Sequence, residues 1–304
     1  MAEPLTIRCA TESLARGEPL YGTASRVQRW MVIEQPGAWG VEALPESELD
    51  AEVAAALDED ARRHRVRVVL ARRAGDRSRG HDRRVFLAHS GAERRWLEQL
   101  DLPFDDPAAL LGIDLSTTAF PEPPGIGEPG PPTLHLVCTN GRHDPCCADL
   151  GRPVVRALVA ARSPDVWECS HIGGDRFAAN LVSLPDGVYY GRVSPEGAPD
   201  LAADHRAGLI DLDHYRGRSC YPPLVQVAEA VARRHLDERR LDGMSVLSAE
   251  PVGDGTVVIL LQQRGGDAVE VVVRRERAAG VQLTCHVHAE HQPWDYRLVA
   301  LRPA

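Results

Sequence analysis

Apolar and polar positions follow strand and helix periods in three successive blocks of the chain. The first block opens with an apolar, β-branched run and continues with Ala, Leu and Glu at helical spacing. It predicts strand, helix, strand, strand and helix, in that order, at residues 29–34, 46–64, 66–71, 84–88 and 92–100.

The second block follows a segment rich in proline and glycine at residues 121–132, which we interpret as a linker. Asp144 and Pro145 predict a helix start within it. Its strand, helix, strand, two-stranded hairpin and final helix are predicted at residues 133–138, 153–161, 166–169, 181–184, 189–193 and 200–207. Both blocks have the order βαβ followed by ββα, which is that of thioredoxin-like folds, and they predict a degenerate internal duplication.

The third block begins with an amphipathic helix at residues 222–236 and continues as an antiparallel meander. Its strands are predicted at residues 245–249, 256–262, 269–274 and 281–287. The predicted class is therefore α/β (α+β), with two α/β domains of thioredoxin-like order and a small α+β domain that has an antiparallel sheet. The predicted domains are residues 1–128, 131–216 and 219–304.

Composition narrows the classes of function. The 304 residues carry 35 basic and 44 acidic side chains, a net charge of −9, and aromatic residues make up 5% of the chain. So few aromatic residues argue against a nucleic-acid partner, because single strands are bound on aromatic platforms. We find no apolar run that could span a bilayer and no signal-peptide pattern at the N-terminus, so we expect a cytoplasmic protein without a membrane partner.

Cysteine usage points to one region of the chain. The chain has seven cysteines, and four of them fall between positions 138 and 169. In a reducing compartment, clustered thiols more often bind metal or carry out redox chemistry than form structural disulfides. This region is therefore the predicted functional site.

The first half of that region places thiols at a turn from strand to helix. Cys138 ends a predicted strand, and Cys146 and Cys147 lie in the first turn of the helix that follows, with Asp144 as its N-cap and Pro145 at its first position. The positive end of a helix dipole lowers thiol pKa values and favours thiolate, which is the form that binds metal.

The second half contributes an imidazole. Cys169 and His171 point to the same side of an extended segment, because side chains alternate with period two. The pair Gly173-Gly174 lets the backbone turn and bring Asp175 back beside His171. Thiols from one turn and an imidazole with a thiol or carboxylate from the other make a four-ligand site for zinc or an iron–sulfur cluster.

We expect the cysteines outside positions 138–169 to bind no metal. A second Cys/His concentration consists of Cys285, His286 and His288, with His291 nearby, and we interpret it as a strand with a solvated histidine face. Cys9 and Cys220 are interpreted as isolated structural cysteines.

Several stretches together resemble the sucrase/ferredoxin-like family over residues 9–215. They are the C-x8-C spacing of Cys138 and Cys147, the H-I-G-G-D-R-F-A-A-N block that starts at His171, and residues 29–40, 137–158 and 166–193. Members of this family are similar to thioredoxin-like ferredoxins, so the resemblance implies a 2Fe-2S cluster on a thioredoxin-like domain at residues 131–216. Nothing in the sequence singles out a pair of carboxylates for sucrase activity.

The resemblance also implies a ligand set. In eukaryotic relatives, two cysteines spaced C-x8-C and two histidines in H-x-G-G-H hold the cluster. Cys138, Cys147 and His171 match these positions, and Asp175 stands where the second histidine would be. The fourth ligand is therefore open between Asp175, which the position favours, and Cys169, which ligand softness favours. Of the two, extended geometry makes chelation of one iron by Cys169 and His171 awkward and favours Asp175.

Three functions are compatible with these residues. The first is an electron carrier or redox sensor, rather than an enzyme, that holds a 2Fe-2S cluster and exchanges electrons with a reductase or acceptor protein. The second is a binding module stabilised by zinc on Cys138, Cys147, Cys169 and His171. The third is a thiol–disulfide oxidoreductase that uses Cys146 or Cys147, although the chain has no C-x-x-C motif.

Overall fold

The computed structural model describes residues 8–74, 82–286 and 291–304. Over these residues the chain forms a ten-stranded mixed sheet and a separate four-stranded antiparallel sheet, with helices packed on both. The predicted α/β (α+β) class is confirmed. In the part of the chain that is described, none of the helices combines the length and the apolar character that crossing a bilayer would require.

The elements of the first block are short helix α1, the βαβ unit, a hairpin and a two-residue edge strand. They are α1 (Cys9–Ala15), β1 (Arg29–Glu34), α2 (Ala51–His64), β2 (Arg67–Arg73), β3 (Asp82–Ser90), β4 (Arg95–Pro103), two 3-10 helices (Pro107–Gly112 and Leu115–Ala119) and β5 (Glu128–Pro129). Helix α2 begins later than predicted because the side chain of Asp50 caps it and accepts hydrogen bonds from the amides of Glu52 and Val53.

The second block carries the same order of elements. They are β6 (Leu134–Cys138), α3 (Pro145–Ala160), β7 (Val166–Cys169), a 3-10 helix (Asp175–Phe177), β8 (Leu181–Leu184), β9 (Val188–Tyr190), α4 (Ala198–Arg206) and β10 (Tyr215–Arg218). The third block comprises α5 (Pro223–His235), β11 (Met244–Gly253), β12 (Thr256–Gln263), β13 (Ala268–Arg277) and β14 (Trp294–Pro303).

The large sheet shows the duplicated order directly. Its strand order is β10-β9-β8-β6-β7-β2-β1-β3-β4-β5. In each half a parallel pair is joined through a helix, β1 with β2 and β6 with β7, and the first strand of the pair is flanked by an antiparallel hairpin. The equivalent strands β2 and β7 meet antiparallel, with Ala71 opposite Cys169. The predicted linker contributes the edge strand β5, which pairs with β4. The β2–β7 pairing joins both halves into one sheet.

The helix predicted at residues 92–100 is wrong, because residues 95–100 belong to strand β4. The segment contains good helix formers, but its register against β3 places Leu97 opposite Ala88 and buries Trp96 and Leu97. The Glu98 carboxylate accepts hydrogen bonds from three successive amides of residues 125–127. These long-range contacts override the local helix propensity.

The strand predicted at residues 281–287 is also wrong within the described residues. Val281 forms an isolated bridge with His291, and residues 282–286 form no strand, with bends at residues 284–286. The fourth strand of the meander is β14, which pairs with β13 and which the sequence reasoning missed. His288 lies outside the described residues.

The core places the cysteine region at the end of the central strands. Along β1, Met31 and Ile33 pack on the side of helix α2, whereas Trp30 and Val32 join the core of the other face. That second core also contains Cys138, Cys147 and Cys169. The carboxyl ends of the parallel strands β6 and β7 and the start of α3 therefore meet at one point.

Candidate metal centre

Two thiols converge where β6 ends and α3 begins. Asp144 caps α3 as predicted, since its Oδ1 accepts a hydrogen bond of 2.8 Å from the amide of Cys146. This cap fixes the first helical turn, from which Cys147 points back toward Cys138. The sulfur atoms of Cys138 and Cys147 and a ring nitrogen of His171 all lie within 4.8 Å of one another.

A loop held by hydrogen bonds places Asp175, a fourth ligand-type side chain, at the site. Gly173 and Gly174 adopt positive φ angles of 104° and 84°, which side chains rarely tolerate, and turn the chain into the 3-10 helix that begins with Asp175. The buried guanidinium of Arg216 donates to the carbonyl of Gly173 at 3.0 Å and to Oδ1 of Asn180 at 2.7 Å. The predicted return of the loop toward His171 therefore occurs, and it is anchored from β10.

The carboxylate of Asp175 lies among the other donors. Its Oδ1 is 2.9 Å from Nδ1 of His171 and 3.2 Å from the sulfur of Cys147. The imidazole and the carboxylate therefore form an ion pair when the His171 ring is protonated, and the Cys147 thiol donates to the same carboxylate.

The sequence reasoning missed His143, which lies inside the C-x8-C loop. Its ring stacks on that of His171, with centroids 3.6 Å apart and planes at 19°. Its Nε2 is 3.6 Å from Oδ2 of Asp175, and its Nδ1 lies 3.1 Å from the carbonyl of Val41. The sequence signal that could have identified His143 is its position between the two spaced cysteines, Cys138 and Cys147.

The electrostatics of this group favour a thiolate at Cys138. A hydrogen bond from Cys147 lowers the pKa of Cys138 well below its usual range, against burial, and His171 adds to the effect. The same hydrogen bond keeps the proton on Cys147 and raises its pKa. Burial lowers the pKa of His171, but contacts with Asp175 and Cys138 outweigh it and raise the value to about 9.

Carboxylate and imidazole partners stabilise each other's charged forms. Burial opposes ionisation of Asp175, yet the contacts with His143 and His171 lower its pKa below the ordinary value. The hydrogen bond with Asp175 in turn raises the pKa of His143. The group therefore holds charge in a largely buried position, as a site for a cation does.

Cys169 does not join this group. It lies opposite Cys138 in the β6–β7 register, fully buried, and burial raises its thiol pKa well above the usual range. Among the described residues, its sulfur belongs to none of the sets of three ligand atoms that lie within 4.8 Å of one another. The structure thus brings Asp175, and not Cys169, to Cys147 and His171.

Cys146 faces away from Cys147 and meets two cysteines that the sequence reasoning treated as isolated or as part of a solvated strand. Cys9 and Cys285 are both buried and lie beside Cys146 and Asp144. Both interpretations are wrong, because these residues come together through packing of segments far apart in the chain. No local pattern in the sequence signals this contact.

The donors at the first group fit a thiolate-rich metal centre. Thiols and an imidazole, with a carboxylate beside them, are ligand types found at zinc sites and at iron–sulfur clusters with histidine ligation. The side chains of His143 and His171 keep 28% and 21% exposure, so one edge of the group reaches solvent.

The region of the chain that contains this site matches a known protein family. The family model described as sucrase/ferredoxin-like matches residues 20–217, which is more than half of the chain. A search of curated proteins gives no significant match.

Some solved structures show a limited likeness. A thioredoxin-like [2Fe-2S] ferredoxin from Aquifex aeolicus aligns at 21% identity and a TM-score of 0.26, covering 30% of this chain and 94% of that chain. A cysteine-to-serine variant of the same ferredoxin aligns at 21% identity and a TM-score of 0.24, covering 27% and 95%. A second such variant aligns at 22% identity and a TM-score of 0.21, covering 24% and 85%.

Proposed function

Because the chain belongs to the sucrase/ferredoxin-like family and two of its thiols converge with an imidazole that pairs with a carboxylate, we propose that it is an iron–sulfur electron carrier or redox sensor. The proposed cofactor is a 2Fe-2S cluster, which supplies one-electron chemistry when bound. The proposed ligands are Cys138, Cys147, His171 and Asp175.

The observation that carries this proposal is the convergence of the Cys138 and Cys147 thiols with a ring nitrogen of His171, all within 4.8 Å of one another. The two thiols supply soft ligands beside the ring. Cys138 and Cys147 would ligate as thiolates and His171 as a neutral imidazole.

The chain's own residues also define how a partner would reach the site. The thiols are buried, whereas the imidazole edges of His143 and His171 are the parts nearest solvent. We therefore propose that a redox partner protein docks over the two imidazoles. The loop held by Arg216 keeps that edge in place.

The experiment is spectroscopy and metal analysis of the full chain, purified anaerobically from cells grown with ample iron. We expect a red-brown protein with about two irons and two sulfides per chain. The Cys138→Ser and Cys147→Ser variants should each lose the visible absorption.

The matched control is Cys220→Ser. Cys220 is also a buried, unpaired cysteine, but it packs in the core of α5 and the small sheet. Its variant should keep the colour. Stoichiometric zinc at Cys138 and Cys147 with no visible absorption would replace this proposal with a zinc-stabilised module, because Zn²⁺ is spectroscopically silent.

A further inference from the structure

A second group of side chains of metal-ligating types lies beside the first turn of α3, on a different face from Cys147. It consists of Cys9, Asp144, Cys146 and Cys285, whose ligand atoms all lie within 4.8 Å of one another. The sulfur of Cys285 is 3.4 Å from that of Cys146 and 3.5 Å from that of Cys9. The sulfur of Cys9 is 3.6 Å from Oδ2 of Asp144.

Three segments distant in sequence build this group. Cys9 is the first residue of α1, Cys146 lies in the first turn of α3, and Cys285 lies in the bend region before the last strand. The Asp144 carboxylate is held by two amides, with Oδ1 accepting from Cys146 at 2.8 Å and Oδ2 accepting from Cys285 at 2.7 Å. These bonds fix the carboxylate before any ion binds.

The group is closed to solvent. Cys9 and Asp144 have 0% exposure, Cys146 has 3% and Cys285 has 7%. The apolar residues that complete the cluster are the small side chains Ala10 and Ala178. Four ligand-type side chains from three separate segments, buried together, form a pattern that ordinary core packing does not require.

We propose that Cys9, Asp144, Cys146 and Cys285 hold one structural zinc ion. Structural zinc sites are closed and four-coordinate, and they are rich in thiolate. With Zn–S bonds of about 2.3 Å, tetrahedral coordination separates the sulfurs by roughly 3.8 Å. The sulfur distances in the structure need to widen by only a few tenths of an ångström to admit the ion.

The charge and proton balance of the site is consistent. Each ligating thiol gives up its proton to solvent, so binding of one Zn²⁺ releases up to three protons and involves no redox step. The ligand set then carries excess negative charge, which the positive end of α3 offsets. The amide of Cys9, which donates to the sulfur of Cys285 at 3.4 Å, adds to this effect.

The proposed zinc would tie the ends of the chain to the first site. Cys146 and Cys147 are neighbours in one helical turn and point about 100° apart, so the two groups lie on different faces of α3. The zinc would join α1 and the bend that contains Cys285 to the helix that presents Cys147. The role is structural and does not depend on which metal occupies the first group.

The test measures zinc and iron separately in the full chain, expressed with both metals and purified anaerobically. Wild type should contain about one zinc per chain in addition to iron. The Cys9→Ser and Cys285→Ser variants should lose zinc and keep iron with its visible absorption. The Cys138→Ser variant should lose iron and keep zinc, and the control Cys220→Ser should keep both metals.

A cobalt experiment on wild type covers the case in which the zinc-site variants do not fold. Protein produced with Co²⁺ in place of zinc should show thiolate-to-cobalt absorption, and the Cys138→Ser variant should retain it. The proposal would be overturned if wild type contained no zinc and, when produced with Co²⁺, showed no thiolate-to-cobalt absorption. So would zinc that depends on Cys138 and not on Cys285, or a Cys146–Cys285 disulfide in the mass spectrum of native protein.

Discussion

The imidazole ring of His143 stacks on that of His171 at a centroid distance of 3.6 Å, and both rings lie beside the Asp175 carboxylate. His171 occupies a ligand position that the family resemblance implies. His143 comes from the loop between the two spaced cysteines, so it lies close to the proposed cluster without being one of its proposed ligands. We therefore expect the charge of His143 to change the reduction potential of the proposed cluster.

We expect the His143→Gln variant to keep the visible absorption and to have a lower reduction potential. The hydrogen bond with Asp175 raises the pKa of His143, so the wild-type ring carries more positive charge at neutral pH than an isolated histidine. Removing a nearby, partly screened positive charge should lower the potential by on the order of 50 mV, which is about 1 kcal/mol for one electron. Protein-film voltammetry measures this shift, and an unchanged potential would show that His143 is electrostatically silent.

The identity of the fourth ligand can be decided by a pair of variants. Asp175→Ala should lose or strongly destabilise the cluster, because the Asp175 carboxylate is the group beside Cys147 and His171. Cys169→Ser should keep it, because that sulfur lies outside the group. Asp175→His should keep it with a raised potential, since a neutral ligand replaces an anionic one.

Absorption and electron paramagnetic resonance spectra of the three proteins are the measurement for this pair. A colourless Cys169→Ser protein together with an intact cluster in Asp175→Ala would assign three cysteines and one histidine as ligands. That pattern would refute the proposed role of Asp175.

Local sequence patterns correctly predicted several features around the candidate metal centre. The N-cap at Asp144, the turn at Gly173-Gly174 and the strand Val166–Cys169 depend on neighbouring residues, and each is present in the structure. The second thiol group was not predictable, because Cys9 and Cys285 are 276 positions apart and meet only after the chain has packed. Strand β4 was missed for the same reason, since its pairing with β3 overrides its local propensity.

The close packing of α3 on β6 gives a third prediction. Gly151 faces the end of β6, where a Cβ atom would lie well inside contact distance of the carbonyl oxygen of Cys138. Gly151→Ala should therefore push α3 away from β6, lower the free energy of unfolding by about 1–3 kcal/mol and weaken cofactor retention. Gly112→Ala is the control, because a Cβ there meets nothing within 4 Å. Urea unfolding and iron content measure both effects, and equal behaviour of the two variants would contradict this account.

A buried histidine away from both thiol groups should govern the acid stability of the fold. His135 on β6 has 0% exposure and its Nδ1 lies 2.9 Å from the hydroxyl of Ser183. Burial lowers the pKa of His135 to about 3, and the charges of His205 and Arg206 add to this effect.

Since the pKa of His135 is lower in the folded than in the unfolded chain, the unfolded chain takes up the proton first as the pH falls. The stability that neutral His135 contributes is complete above pH 6.5 and is lost progressively as the pH falls toward 3. His135→Gln should therefore flatten the dependence of the unfolding free energy on pH between 6 and 4, measured by urea unfolding. His214→Gln should steepen the loss on acidification, because the hydrogen bond with Asp211 raises the pKa of His214 and its contribution grows as the pH falls. Parallel curves for wild type and His135→Gln would mean that His135 is not held neutral in the folded protein.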